Sequence, residues 1–416
     1  MKKLLCLVCA LALALAMLIP TMAEEKVTLK IYAQYADDDT KVPYDYAIEK
    51  LAEAYPNVEM ELIPQAQDDG ATLLSLAAAG NLPDIYQTGS GITPTLRASN
   101  QMMVLNDVAE KTGFAGKVYD TCKDFLYADD GNIYAFPYAG NEYVLWYVNK
   151  ALFADAGLEL PTTYEELLNC IEVFKEKDIV PMALFGQEGW ITAAMFDVIA
   201  TRYNAGGIKA LDRGEASITD PEYVDAASTL YDLAQAGMFQ AGVTSTNYDQ
   251  ASEMFLSGKA AMFLNGQWYI EDATKALGDD VAWIAYPAPS AEAYEASKTA
   301  FAGSGSVSGY AVNPDGPNAE LAAEVAAFIS EKYCEAKITL RNNPLVAVDT
   351  GLTNDALPPM MQDLMAAIPT MTSTTAFTWG LTNPTFTEAI GTWTQALVSG
   401  EYTVDEVIEE LAAVME

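Results

Sequence analysis

The chain has no histidine among its 416 residues. That removes Ser-His-Asp and Cys-His catalysis and every histidine-ligated zinc site at a stroke. Basic residues are scarce as well: 22 Lys and Arg stand against 58 Asp and Glu, a net charge of −36. Such a polyanion is repelled by nucleic acid and by anionic membrane surface. Its only arginines are Arg97, Arg202, Arg213 and Arg341, too few to favour a multiply charged anionic ligand. Of five cysteines, Cys6 and Cys9 fall at the extreme N-terminus. The others, Cys122, Cys170 and Cys334, are odd in number and widely spread, which is no disulfide framework and allows one bridge at most. Only one long apolar run exists, Leu4 to Ile19, behind Lys2 and Lys3 and ahead of Thr21-Met22-Ala23. It reads as a secretion leader, residues 1–23, cut after Ala23 and not lipidated, because Cys6 and Cys9 are misplaced for an anchor. No later stretch approaches the ~20 apolar residues of a membrane span.

What is present is core-forming material, 51% hydrophobic residues with 23 tyrosines and six tryptophans. A chain of this length exceeds what one hydrophobic core usually holds, so two lobes are expected. Val27 to Ala33 alternates as a strand, a helix follows with Tyr46, Ile48, Leu51 and Tyr55 at helical spacing, and Val58 to Ile63 alternates again. A helix over about 70–79 then ends at Gly80-Asn81, with Pro83 preventing its resumption. Ile85-Tyr86 reads as a short buried parallel strand whose carboxyl end delivers Gln87-Thr88 to a ligand-facing turn. This β-α-β-α-β order indicates a doubly wound α/β sheet. Asp129-Asp130-Gly131-Asn132 lacks the closing Glu of a calcium loop and reads as a hairpin turn between tyrosine-bearing strands. Gly303-Ser304-Gly305 is not a dinucleotide fingerprint, its third glycine being misplaced. Trp146, Trp283 and Trp393 sit in apolar patterns and read as packing.

Five stretches, in order, span almost the whole chain: "LAAAGNLPDIY", "GNIYAFPYAGNEYVLWYVNKALFADAGLELPTTYEEL", "FLSGKAAMFLNGQW", "IAYPAPS" followed by "GSGSVSGYAV", and "LVSGEYTVDEVIEEL". Together they resemble the extracellular solute-binding proteins of carbohydrate-importing ABC transporters, the maltose-binding-protein-like group. The resemblance implies a type II periplasmic-binding-protein-like fold, α/β and two-lobed, each lobe a sheet flanked by helices, with the ligand cleft between. Read onto this chain, one lobe would hold residues 24–139 and 288–355 and the other 140–287 and 356–416. Crossovers would fall near Tyr138–Asn141, near Pro287–Pro289 and between Leu345 and Pro359.

By the same resemblance Glu142, Glu188, Trp190 and Trp268 match sugar-contacting positions. Asp37 and Gln87 occupy first-lobe loops, Ser304 offers backbone contact, and Trp379 in "FTWGL" is the nearest match to a C-terminal aromatic contact. The run Gln87-Thr88-Gly89-Ser90 replaces an aromatic and charged pair of the maltose binder, a departure that points away from maltose. The residue chemistry agrees, since carboxylates and amides suit sugar hydroxyls while rings cover the C–H faces. The implied function is capture of a neutral sugar or oligosaccharide outside the cytoplasm, periplasmic or at the cell surface of a bacterium. A monomer would deliver it to membrane permease subunits, with no nucleic acid, metal or cofactor involved. Two alternatives stand beside it, a secreted glycoside hydrolase built on paired carboxylates and a sugar sensor feeding a receptor.

Overall fold

In the computed structural model of the chain, residues 26–415 are described except 67, 69, 90 and 306–308. The expected leader lies outside the described residues. Strand β1 (Val27–Ala33) sits between β2 (Val58–Pro64) and β3 (Ile85–Thr88), parallel to both. Leu29 and Ile31 of β1 are buried while Lys30 is exposed, and farther along Tyr32 is buried on the opposite face, so the strand's carboxyl half is covered on both sides. The second sheet begins with β4 (Val144–Asn149) and β5 (Val180–Ala183) and continues with β6 (Ala260–Gly266) and β7 (Val281–Ile284). Its order is β5-β6-β4-β7. Every residue of β4 and β6 is buried, because helices and loops cover both faces of these central strands. A two-stranded ribbon pairs β8 (Ala300–Phe301) with β10 (Ser373–Thr374), and β9 (Gly309–Val312) closes the first sheet antiparallel to β3, giving the order β2-β1-β3-β9.

Each sheet has its own core. Leu29, Ile31, Ile85 and Val312 pack with Val325 and Ile329 of the Ala319–Leu340 helix around the first. Trp146, Phe185, Met195, Phe263, Ile390 and Leu411 belong to the second. The chain changes core between Tyr138 and Tyr143, between Ala302 and Tyr310, and between Val348 and Leu357. The first change lies at Ala139-Gly140-Asn141 and the third within the stretch between Val348 and Leu357. The second falls some fifteen residues beyond the expected Ala288. Ala288 is held to the second lobe by its N–H on Thr162 O (2.9 Å) and its carbonyl, which accepts from Tyr164 N (2.9 Å). Phe301 and Ala302 remain in the second core too.

Two further readings change. The strand at Ile85 does not stop at Tyr86: Gln87 and Thr88 pair with Tyr310 and Gly309 of β9. Asp129–Asn132 forms a tight turn, but no named strand flanks it; Arg97 bonds both Asp129 (2.7 Å) and Asp130 (3.0 Å). Cys122, Cys170 and Cys334 are all buried and free. Trp146 is core, its indole N–H directed at Met262 Sδ (3.3 Å).

Candidate functional site

The carboxyl ends of β1, β3, β5 and β6 deliver most of the candidate residues, as expected where parallel strands open toward a ligand. Asp37 follows β1, Gln87 lies in β3, Glu188 and Trp190 follow β5, and Trp268 follows β6. Glu142 joins them because β4 runs antiparallel to β6, with Val144 opposite Gly266, so the start of β4 meets the end of β6. Gln267 fixes this corner: its Oε1 accepts from Tyr143 N (2.8 Å), and its own N–H donates to Tyr143 O (3.0 Å).

Four rings converge at one place. The Trp268 ring lies 6.0 Å from Trp190, 5.6 Å from Phe377 and 6.2 Å from Trp379. Trp190 stands edge-on to Trp379 at 5.3 Å, and Phe377 stacks on Trp379 at 4.3 Å with planes 7° apart. Phe185 supports Trp190 from the core at 5.2 Å. Phe377 is buried, whereas the three tryptophans keep part of their surface exposed. The result is a cluster of partly exposed aromatic rings, the residue type that covers the C–H face of a sugar ring. Phe377 was not singled out from the sequence; its position two residues before Trp379 is the only local signal.

Carboxylates border the cluster. Glu188 Oε2 accepts from the Trp190 indole N–H at 2.8 Å, orienting that ring. Glu142 retains some exposed surface, yet burial pushes its carboxyl up to about 7, with Lys337 opposing and Asp39 adding to the shift. The Glu142 carbonyl lies against Gly303, where φ is +87° and a Cβ would stand 2.9 Å from that oxygen and 2.7 Å from Phe377. Only glycine fits there, and Ser304 next to it is half-buried. Gly305 N–H donates to Asn141 Oδ1 (3.1 Å), so the loop carrying Ser304 is tied to the segment carrying Glu142.

On the first-lobe side the expectations are partly corrected. Gln87 does not stand free at a rim: it is 6% exposed. Its Oε1 accepts from Gln34 N (2.7 Å) and its amide donates to Tyr138 Oη, so both ends of the amide are engaged within the lobe. The cause is the continuation of β3 through Thr88. Gly89, at the end of that strand, does reach the cluster; a Cβ on it would stand 4.0 Å from Trp379 Cβ. Asp37 caps the Asp38–Ala54 helix, one oxygen accepting from Thr40 N and Thr40 Oγ1 at 3.0 Å each. Burial, and then neighbouring Asp39, raise its pKa.

An ionic chain unforeseen from the sequence also spans the lobes. Asp39 pairs with Lys337 and, at 3.5 Å, with Arg341 Nε, while Arg341 reaches Asp272 Oδ2 at 2.9 Å. Asn342 donates to Glu271 Oε2 at 2.5 Å beside it. Asp272 and Glu271 belong to the Ile270–Leu277 helix, immediately after Trp268. Among the described residues, no group of three or more His, Cys, Asp or Glu is arranged to hold a metal ion.

Residues 37–332 match the model of a family described as bacterial extracellular solute-binding protein. The chain is 25% identical over 265 residues to a multiple sugar-binding protein of Streptococcus mutans, covering 59% of this chain and 58% of that one. It is 27% identical over 280 residues to the diacetylchitobiose binding protein DasA of Streptomyces coelicolor, covering 65% and 62%. It thus spans less than two thirds of the length of these curated relatives. A structure from work on xylan utilisation by Caldanaerobius polysaccharolyticus superposes with a TM-score of 0.82 at 21% identity, over 93% of this chain and 99% of that one. A sugar transporter structure from Arthrobacter chlorophenolicus with bound laminaribiose gives 0.74 at 16%, over 94% and 98%. The fold is that of type II solute-binding proteins, and the chain belongs to the bacterial extracellular solute-binding protein family.

Proposed function

We propose that this protein captures a neutral mono- or oligosaccharide between its lobes and presents it to the membrane subunits of an ABC transporter. The observation that carries the reading is the cluster of Trp190, Trp268, Phe377 and Trp379, bordered by Glu142 and Glu188, in a chain of a solute-binding family. Rings cover the sugar's C–H face while carboxyl groups take its hydroxyls. Relatives named for sugar or diacetylchitobiose binding, and one structure holding laminaribiose, support an uncharged saccharide as the ligand class. Family membership supports a binder over the glycosidase alternative. The mature protein acts outside the cytoplasm after removal of residues 1–23. The lobes close by a hinge motion, which ligand favours only through its greater affinity for the closed state.

Calorimetric titration with xylobiose, diacetylchitobiose, laminaribiose, raffinose, stachyose and galactose tests this. At least one should bind, with affinity little changed by chelator or by raised salt, because no counter-charge is paired. Binding confined to a sugar acid or phosphate and lost at high salt would overturn the proposal.

A further inference from the structure

Two of the site's loops spring from one small piece of sheet. The ribbon of β8 and β10 has two residues per strand. One strand leads into Gly303-Ser304-Gly305, the other into Thr375-Ala376-Phe377-Thr378-Trp379. A two-stranded ribbon this short does not hold its own geometry in water. The side chain that fixes it is Thr375, which is fully buried.

Thr375 N–H donates to Phe301 O (3.2 Å), while its hydroxyl accepts from Gly303 N (3.0 Å) and donates to Asp197 Oδ2. Asp197 is buried in the Gly189–Ala200 helix, whose first turn carries Trp190, and its other oxygen accepts from Ile208 N at 2.8 Å. Gly207 makes room for this arrangement: with φ at +50°, a Cβ there would overlap both Asp197 Oδ1 and Thr375 Cγ2. One hydroxyl, using its single donor and one of its acceptor positions, thus ties together the helix of Trp190, the loop of Ser304 and the segment of Phe377 and Trp379.

We propose that Thr375, anchored by Asp197, is the positioning residue of the saccharide site, holding Phe377 and Trp379 in register with Trp190 and the Gly303–Gly305 loop. This rests on the proposed sugar-binding function, but its geometric part can be read without any ligand. Thr375→Val keeps the shape and deletes both side-chain hydrogen bonds; Thr375→Ser keeps the hydroxyl and deletes only a methyl.

Near-UV circular dichroism and acrylamide quenching of tryptophan emission, on ligand-free protein at pH 8, read the coupling and exposure of the ring cluster. At that pH the Asp197 carboxyl, pushed by burial up to about 7, is predominantly ionised. In Thr375→Val the aromatic signal should weaken and quenching rise, and Thr375→Ser should return both to wild type. The saccharide among the six above that binds wild type most tightly should lose ~10-fold or more in affinity to Thr375→Val, the scale of one or two lost hydrogen bonds, and regain it in Thr375→Ser. Should Thr375→Val fail to fold, Asp197→Asn keeps an acceptor for Ile208 N–H and removes the ionised partner of the hydroxyl. It should shift the aromatic signals in the same direction. Wild-type aromatic signals in the folded variants, or equal losses in Thr375→Val and Thr375→Ser, would overturn the proposal. If no saccharide binds wild type while the spectroscopic pattern holds, it is the functional reading that fails and not the positioning role.

Discussion

Replacing Glu142 by glutamine should stabilise the protein in alkaline solution and leave it nearly unchanged in acid. Burial pushes the folded-state carboxyl up to about 7, against ~4.3 in an unfolded chain. Between those values the folded state binds more protons than the unfolded one, so stability from this group is fully present below ~4.3 and is lost as pH rises to about 7. The full difference would correspond to ~3–4 kcal/mol at 1.36 kcal/mol per pH unit. Part of the side chain still meets solvent and Lys337 compensates some of the charge, so about 2 kcal/mol is the working magnitude. Urea unfolding of wild type and Glu142→Gln at pH 5 and pH 8 gives four free energies. The variant's advantage should be about 1 kcal/mol larger at pH 8 than at pH 5, because at pH 5 the unfolded-state carboxyl is already largely ionised and about half of the penalty is present. An equal difference at both pH values would refute the account of Glu142 as a carboxyl kept from ionising by its surroundings.

Arg341→Met should cost ~3 kcal/mol in urea unfolding, because the Arg341 side chain is 1% exposed and its loss takes from Asp272 its hydrogen-bonded cation and leaves Asp39 with Lys337 alone. Trp268→Ala should weaken saccharide binding by ~2 kcal/mol or more by calorimetry. It should also lower the melting temperature, since three other rings lean on Trp268. Gln87→Ala should act through the fold: Gln34 N–H and Tyr138 Oη lose their partner, and a stability loss of ~2 kcal/mol is expected in denaturant titration.

Local pattern made the strands and their punctuation legible. β1 matches Val27–Ala33 residue for residue, and Gly80 takes the left-handed conformation (φ +68°) that ends the preceding helix. Trp190, Trp268 and Trp379, singled out through the family resemblance, come from three distant segments and lie together. What failed to show was non-local. The last two residues of β3 are strand only because β9, more than two hundred residues later, pairs with them, and that pairing buries Gln87. Pro287-Ala288-Pro289 looks like a crossover, but Ala288 is bonded to Thr162 and Tyr164 and stays with the second lobe. Asp39, in a run of three aspartates that suggests a solvated turn, is buried by Lys337 and Arg341 from the far end of another helix. No spacing rule connects such partners, nor the hydroxyl of Thr375 with Asp197.

The central claim is that a neutral sugar ring rests on the aromatic cluster with carboxyl groups at its edge. The crystal structure of the chain with its tightest-binding saccharide bound tests this most directly. The account predicts a sugar ring against Trp268 or Trp379, hydroxyls within hydrogen-bond reach of Glu142 or Glu188, and Thr375 still bonded to Asp197 and Gly303. A saccharide bound away from these rings, with the Trp190–Trp268–Phe377–Trp379 cluster unoccupied, would contradict it.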